Sequence, residues 1–267
     1  MKNYVLSAAA FLMCGGLMMA QGNTSSISSS GNNNDVVVEQ IGSMNSSEVM
    51  QTGQNTLPDG GVANIAYVGQ YGNKNTSYVK QAGDRNLSVV YSNGNRNDAS
   101  VDIGVGWAER NVTHIVQEGN NNSADQFVRW DKNEAYIFQH GNGNSASQDQ
   151  RTGEDKAKGS YALSVQAGNG NMSDQTQYGK KNYAVVHQIG NRNYATQDQT
   201  GNRNEAVSIQ VGNRNWSHQC QNGIGNVSDI YQMGNGNTAW TFQMGNNHSD
   251  MTTQMGNGNT AITYQSN

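Results

Sequence analysis

Residues 187–216, HQIGNRNYATQDQTGNRNEAVSIQVGNRNW, contain the tetrapeptide GNRN three times. Each copy begins two residues after a glutamine, and these glutamines, Gln188, Gln199 and Gln210, are 11 residues apart. Most folds repeat apolar residues at the period of a helix or strand, whereas this segment repeats polar amides at a fixed interval. The interval indicates a repeat architecture in which the amides themselves have a structural role.

The glutamine series extends over most of the 267 residues. Its members are Gln40, Gln51, Gln70, Gln81, Gln117, Gln139, Gln150, Gln166, Gln177, Gln188, Gln199, Gln210, Gln221, Gln232, Gln243, Gln254 and Gln265. Ser92, Ile103 and Val128 fill the remaining positions, which gives 20 units. The register slips near residues 52–63, 104–110 and 151–159, and we predict that these segments are insertions that loop out of a regular scaffold.

Each unit follows the pattern Asn-x-Ala/Ser-x-x-x-Gln-x-Gly-x-x, as in residues 182–192. The seven residues from Asn to Gln suit a strand. The four that follow suit a tight turn, in which glycine adopts a positive φ at little steric cost. Asn, Ala and Gln recur at offsets 0, 2 and 6, a period of two that argues against a 3.6-residue helix. The chain is therefore predicted to be all-β.

The alternation also indicates which side chains face inward. Almost all strand charges lie at odd offsets, whereas even offsets hold Asn, Ala or Ser, aliphatic residues and Gln. His248 and Asp250 are exceptions, both in one unit near the C-terminus. Because a buried unpaired charge is costly, we expect the even offsets to face inward. The predicted interior consists of small residues, aliphatic residues and amides.

Buried amides must hydrogen-bond to one another. If two units form one turn of a coil, each residue lies roughly 4.8 Å from its counterpart 22 positions later, and identical amides at that spacing form ladders. The predicted fold is a cross-β β-solenoid with two strands per rung of ~22 residues and about ten rungs, with a length of roughly 45–50 Å.

The predicted structural residues form four groups. The glutamine ladders comprise Gln166, Gln177, Gln188, Gln199, Gln210, Gln221, Gln232, Gln243 and Gln254. The asparagine ladders comprise Asn171, Asn182, Asn193, Asn204, Asn215, Asn226 and Asn237. A second glutamine ladder, at offset 4 of alternate units, comprises Gln126, Gln148, Gln175, Gln197 and Gln219. The turn glycines are Gly168, Gly179, Gly190, Gly201 and Gly212.

The two outer faces of the predicted solenoid differ at offset 3. One face carries an apolar stripe, which comprises Val37, Tyr67, Val89, His114, Tyr136, Leu163, Val185 and Val207. The other carries Glu48, Tyr78, Ser100, Asp125, Ser147, Asp174 and Thr196. We hypothesise that the apolar stripe packs laterally against another filament or surface. The strand propensity of β-branched and aromatic residues accounts for the stripe equally well.

The N-terminus indicates export. Residues 1–20 combine Lys2 with an apolar run and end at Ala20, as a secretory signal peptide does. The run is short for a membrane anchor, and Met13 before Cys14 is bulkier than the residue that lipoprotein cleavage prefers. Only Cys220 remains after cleavage, so no intramolecular disulfide is expected.

Composition and spacing favour no chemical site. Charged residues make up 13%, the net charge is −4, and nothing in this balance demands a nucleic-acid partner. His218 and Cys220 are two residues apart on one strand, but a zinc site needs two further ligands. The turns lack the lysine and helix of a phosphate loop, and the carboxylates are not paired in a cleft. We therefore predict no catalytic, cofactor-binding or metal-binding residues, and no enzyme.

The repeat resembles that of the curlins, the subunits of bacterial curli-type functional amyloid. The resemblance rests on the motif Gln166-x-Gly168-x-x-Asn171-x-x-x-x-x-Gln177 and its successors, which cover nearly all of residues 34–267. It implies export through an outer-membrane pore, a two-strand solenoid and end-to-end assembly into extracellular biofilm fibres. It also implies that residues 21–33, before the first repeat, are a secretion or targeting segment. This chain has about twice the repeats of a compact five-repeat subunit.

Three functions stay open on the sequence alone. The first is a subunit that self-assembles end to end into curli-like fibres, and the second is a minor nucleator of fibres made by a homologous subunit. The third is a monomeric β-solenoid adhesin or surface-binding protein, which would carry polar caps. The last unit, residues 259–265, is a regular repeat with no such cap, and this favours the fibre subunit. The expected partners are the chain itself, a homologous subunit and a secretion pore, with neither nucleic acid nor a membrane span in the mature chain.

Overall fold

A computed structural model describes residues 22–53, 63–104, 108–153 and 159–267. These residues form 21 strands. The strands are β1 (Thr24–Ser30), β2 (Asp35–Ser43), β3 (Ser46–Thr52), β4 (Ile65–Asn73), β5 (Thr76–Ala82), β6 (Leu87–Asn95), β7 (Asp98–Ile103), β8 (Val112–Asn120), β9 (Ser123–Arg129), β10 (Glu134–Asn142), β11 (Ser145–Arg151), β12 (Tyr161–Ala167), β13 (Met172–Tyr178), β14 (Tyr183–Asn191), β15 (Tyr194–Asn202), β16 (Glu205–Asn213), β17 (Trp216–Ile224), β18 (Val227–Asn235), β19 (Thr238–Asn246), β20 (Ser249–Met255) and β21 (Thr260–Ser266).

The strands alternate between two parallel sheets. Odd-numbered strands form an 11-stranded sheet and even-numbered strands a 10-stranded sheet, each in chain order. Every strand pairs with the strand two places along the chain, so that two strands complete one turn of a coil. This arrangement confirms the predicted all-β solenoid of about ten turns.

Register is kept across the slips of the repeat. Gln188 lies beside Gln210, 22 residues on, whereas Gln40 lies beside Gln70 and Gln139 beside Gln166. The ladder position is therefore regained after each longer connection. The predicted insertions near 52–63, 104–110 and 151–159 include residues 54–62, 105–107 and 154–158, which lie outside the described residues. The predicted signal peptide, residues 1–20, also lies outside them.

Burial alternates along the strands, and the interior changes character along the axis. In the N-terminal half the inward residues at offset 4 are aliphatic as far as Ile115, and Val49, Val79, Val101, Ile115 and Ile137 belong to one buried apolar cluster. In the C-terminal half the buried residues are mainly amides, serines and alanines. Apolar burial accordingly contributes less there, and hydrogen bonds between the inward side chains carry more of the cohesion.

The turns bring adjacent rungs into backbone contact. Gly212 has a φ of +118°, and a Cβ atom added to it would lie 2.0 Å from the carbonyl oxygen of Gly234 in the next rung. No side chain fits at that distance. Two residues further on, Arg214 has a φ of 56° in the left-handed region, so each such turn uses two residues with positive φ.

The structure contains one strand that the predicted 20 units omit. Residues 21–33 were expected only to precede the first repeat, but β1 pairs with β3 over seven residues in register. The segment is a unit of the same pattern, with Asn23 and Ser25 at offsets 0 and 2 and Ser29 at the glutamine position. A search led by glutamine misses it for that reason.

Candidate functional site: amide ladders and strand edges

The predicted glutamines form two continuous ladders, one on each sheet. On the 10-stranded sheet, Gln166 donates from Nε2 to Oε1 of Gln188, Gln188 to Gln210, Gln210 to Gln232, and Gln232 to Gln254, each at 2.9 Å. On the 11-stranded sheet, Gln177, Gln199, Gln221 and Gln243 do the same. Every donor lies on the N-terminal side of its acceptor, so the ladders have a direction.

Each amide nitrogen has a second acceptor on the opposite sheet. Gln188 Nε2 also donates to the carbonyl oxygen of Met172 at 2.8 Å, and Gln210 Nε2 to that of Tyr194 at 2.9 Å. Both side chains are fully buried. Both protons of the amide are therefore used, and the ladder links the two sheets as well as successive rungs.

A second glutamine ladder runs inside the 11-stranded sheet alone. Its hydrogen bonds run from Gln126 to Gln148, Gln175, Gln197 and Gln219 in turn, at 2.8–3.0 Å. On the facing sheet, the same offset holds Ile115, Ile137, Ser164, Val186 and Ser208, all buried. One sheet thus contributes amides and the other contributes aliphatic or small side chains at this level of the interior.

The predicted asparagines stand at the strand entries in two columns. Asn171, Asn193, Asn215 and Asn237 form one column, and Asn182, Asn204 and Asn226 form the other. In the first column, Asn193 donates from its backbone N and from Nδ2 to Oδ1 of Asn171, and from Nδ2 to the carbonyl oxygen of Gly212. These bonds run opposite to those of the glutamines and fix the turn against the strand.

A further asparagine ladder was missed in the sequence. It lies in the exposed turns at the residue after the turn glycine, and its members are Asn169, Asn191, Asn213, Asn235 and Asn257. Each Nδ2 donates to the next Oδ1 at 3.0–3.2 Å. The recurring Gly-Asn dipeptide is the signal for it. The predicted glycines Gly168, Gly179, Gly190, Gly201 and Gly212 all have φ between +110° and +121°.

Two ladders begin beside an apolar residue. Within the described residues, the buried atoms Gln126 Oε1 and Gln150 Oε1 have no hydrogen-bond partner. Their N-terminal neighbours in the register are Val101 and Val128, which cannot donate. Because the ladders run from donor to acceptor along the chain, an interruption leaves the oxygen of the next glutamine unpaired.

This direction makes a testable prediction about ladder repair. In the column of Gln150, Ile103 and Val128 separate it from Gln81. We expect the double variant Ile103→Gln with Val128→Gln to be more stable than the two single effects predict, by a coupling of about 1–3 kcal/mol, because each single variant leaves an unpaired amide group. Chemical denaturation of the four proteins measures the coupling. Additive effects would contradict a directional ladder.

The outer faces are arranged as the alternation requires. The residues of the apolar stripe, from Val37 to Val207, stack in one column of the 10-stranded sheet. Lateral packing through this stripe stays a prediction.

The inward acid Asp250 is half-buried and accepts hydrogen bonds from Thr241 at 2.7 Å and Thr252 at 3.2 Å. Two hydroxyl groups therefore compensate this inward carboxylate.

The outer face of the 11-stranded sheet carries closely spaced carboxylates. Burial raises the pKa of Asp174, and the charges of Asp198 and Asp149 on the two neighbouring strands raise it further, whereas a hydrogen bond from Ser147 lowers it. Burial and the charge of Asp98 raise the pKa of Asp125. Stacking in register thus brings like charges together on this face.

Stability should increase on acidification. Because the folded-state pKa of Asp174 lies above its value in the unfolded chain, the folded state binds this proton more tightly as the pH falls from neutral toward the unfolded-chain pKa of about 4. Denaturation midpoints should rise as the pH falls through this range, and Asp174→Asn should reduce the rise. The matched control is Thr176→Ser on the same strand, which should leave it unchanged. A midpoint that falls steadily with acidification would contradict the prediction.

Each end of the solenoid presents strand edges. In the part of the chain that the structure describes, β1 and β2 lie at one end and β20 and β21 at the other, and each pairs on one side only. At the β21 end, Ile262 and Tyr264 lie beside Trp240 and Phe242 and are 64% and 65% exposed. Unpaired backbone groups beside exposed apolar side chains form a template for a further strand.

The residues that could bear chemistry are not assembled into a site. The His218 ring hydrogen-bonds to the hydroxyl of Thr196 and contacts Phe242, and burial together with Asp198 raises the pKa of the Cys220 thiol. Residues 22–53, 63–104, 108–153 and 159–267 contain no group of three or more His, Cys, Asp or Glu side chains placed to hold a metal ion. Within the same ranges, no helix is long and apolar enough to cross a membrane.

Comparison with known families supports the repeat. The family model of the curlin-associated repeat matches residues 60–83 and residues 174–201. The second match covers most of β13, all of β14 and most of β15, and on β13 and β15 two of the glutamine ladders run side by side. A search of the curated proteins gives no match.

Proposed function

We propose that this chain, in which two segments match the curlin-associated repeat, is a secreted structural subunit that self-assembles end to end into curli-like extracellular fibres. In this proposal the solenoid is the building block, and a fibre grows by the addition of rungs to a strand edge. The fibres would belong to a bacterial biofilm matrix and act in adhesion and aggregation.

The single observation that carries the proposal is that glutamines with one common ladder direction stand near both ends of each sheet. Gln254 and Gln265 occupy the last glutamine positions on the two sheets, and Gln40 and Gln51 occupy the first. Since donors lie on the N-terminal side of acceptors, the amide groups of Gln254 and Gln265 point toward a rung beyond the described solenoid. At the other end the oxygen atom of Gln40 has the complementary role, whereas that of Gln51 accepts from Ser29 Oγ of β1 at 3.3 Å.

This direction supports head-to-tail joining. A second copy that places Gln40 beyond Gln254 meets each donor with an acceptor. Joining two like ends would instead place donors against donors or acceptors against acceptors, and would also make parallel strands antiparallel. Fibres built in this way are polar.

The proposed export of the chain from the cell is based on its sequence and on the resemblance to curlins. Residues 1–20 would be removed as a signal peptide, and residues 21–33 would guide the chain to an outer-membrane secretion pore. The fibre would then lie outside the cell, at its surface. A homologous subunit is an expected partner, either as the nucleator of these fibres or as the major subunit. The role is structural, without catalysis or cofactor.

A test uses the expected mature chain, residues 21–267, purified and kept dilute, then left at neutral pH. We expect thioflavin-positive filaments with fibre reflections near 4.7 and 10 Å, the spacings of stacked strands and packed sheets. Seeding with a homologous subunit then separates the two fibre roles, because a nucleator accelerates the partner at substoichiometric amounts. A β-rich monomer that stays soluble for days would overturn the proposal in favour of an adhesin.

A further inference from the structure

Within the described residues, the two sheets of the solenoid end unevenly. The 11-stranded sheet ends at β1 and at β21, whereas the 10-stranded sheet ends at β2 and at β20. Because successive strands alternate between sheets along the coil, β1 lies half a rung beyond β2, and β21 lies half a rung beyond β20. The same sheet therefore protrudes at both ends.

This odd number of strands prevents a simple head-to-tail joint. If β1 of one copy stacks on β21 of another, β2 lies two rung spacings from β20, roughly 9.6 Å, and one strand position of the 10-stranded sheet is empty. If instead β2 stacks on β20 and β3 on β21, both sheets continue without a gap. In that joint β1 and β21 occupy the same position, so one of them must leave.

The side chains of β1 anchor this strand to the solenoid less firmly than the side chains of β21 anchor β21. All seven residues of β1 are exposed, whereas the inward residues Ala261, Thr263 and Gln265 of β21 are half-buried. At the glutamine position, Ser29 Oγ donates to Gln51 Oε1 at 3.3 Å, whereas Gln243 Nε2 donates to Gln265 Oε1 at 2.8 Å.

The backbone and the first side chain of β1 nevertheless imitate a rung. Thr24 N donates to the carbonyl oxygen of Asn45 at 2.8 Å, and Asn45 N donates to Asn23 Oδ1 at 2.9 Å. Inside the solenoid, Asn237 N donates in the same way to Asn215 Oδ1. Residues 23–31 therefore fill the place of a unit on β3 while contributing no amide to the glutamine ladder.

We propose that the edge of β3 is the docking site for β21 of a second copy of this chain, and that β1 covers this edge until β21 displaces it. This inference rests on the proposed end-to-end assembly. In the joint, Gln265 Nε2 replaces the hydroxyl of Ser29 as the donor to Gln51 Oε1, and Asn259 replaces Asn23. The β1 strand is thus a self-complementing cover, and its release sets the rate of growth.

A reversible lock tests the displacement directly. Ser28 and Met50 are paired in register on β1 and β3, at outward positions, and are both exposed. Neighbouring parallel strands place such Cα atoms roughly 4.8 Å apart, within the range that a disulfide bridges. The test protein is the chain 21–267 with Ser28→Cys, Met50→Cys and Cys220→Ser.

We expect the oxidised protein to elongate seeds at least about tenfold more slowly than the reduced protein, a factor equivalent to 1.4 kcal/mol. Reduction should restore the rate. The matched control carries Ser145→Cys and Met172→Cys, an in-register pair of the central strands β11 and β13, and should elongate equally in both states. If the oxidised and reduced forms of the Ser28→Cys, Met50→Cys protein both form filaments and elongate at equal rates, the proposal that β1 covers the edge of β3 is overturned and the fibre proposal stays intact. Filament failure in every reduced protein would overturn both.

Two single substitutions in β1 should change the elongation rate in opposite directions. Ile27→Ser removes the apolar side chain that stacks in register with Val49 and should speed elongation several-fold. Ser29→Gln completes the ladder on Gln51 and should slow elongation about fivefold, the factor of one net hydrogen bond. A strand that only stabilises the solenoid would give no such acceleration. Slower elongation with Ile27→Ser would therefore overturn the proposal.

Discussion

Replacing Gly212 with alanine should be one of the most destabilising additions of a single methyl group to the turns. The added carbon would lie 2.0 Å from the carbonyl oxygen of Gly234, and the residue already has a φ of +118°. Backbone on both sides holds this contact, so neither partner can rotate away as a side chain would. We expect a loss of more than about 3 kcal/mol, in the range of the severe single substitutions.

The matched control is Gly236→Ala. Gly236 also lies in a turn and has a φ of +66°, but nothing lies within 4 Å of the position of its Cβ. Its substitution should cost roughly 1 kcal/mol, the ordinary penalty for a left-handed non-glycine residue. Chemical denaturation of both variants, kept dilute as monomers, measures the difference. Equal losses would show that conformational preference, rather than the approach of the neighbouring rung, explains the turn glycines.

Replacing Gln188 and Gln210 together with leucine should have the second largest effect. These two buried residues stand in the middle of one ladder, and their amide groups also reach Met172 and Tyr194 on the opposite sheet. Leucine leaves Gln232 Oε1 and Gln166 Nε2 without their ladder partners. Each unpaired buried group costs about 1–3 kcal/mol, so we expect a loss of several kcal/mol in total. Assembly of the variant should be delayed or abolished.

Thr196→Ser is the control for this experiment. Thr196 lies on the outer face of β15, and the substitution keeps the hydroxyl that contacts His218. Its stability and the lag time of its assembly should stay close to those of the unchanged chain. Similar lag times for the control and the double leucine variant would reject the inward ladder as the driving interaction.

The repeat period and the alternation within each unit could be read directly from the chain. Gln188, Gln199 and Gln210 recur at one spacing, and charges avoid the even offsets, so the strands, the turns and the inward face all follow from local order. Stacking at 22 residues follows as well, since a column of like amides can satisfy its own hydrogen bonds in the interior. The first strand could not be recognised from the glutamine series, because Ser29 occupies its glutamine position.

The tertiary structure alone decided the direction of the ladders and the shape of the two ends. The stacking of successive rungs decides which atom of the Gln150 amide faces Val128. It is the oxygen, and this oxygen therefore has no hydrogen-bond partner. The pairing of β1 with β3 likewise brings the strands of the described residues to 21, an odd number. Such features arise from contacts between rungs and cannot be read from any single residue. The spacing of the repeat specifies which residues meet, whereas the stacking of the rungs specifies which atom of each residue donates.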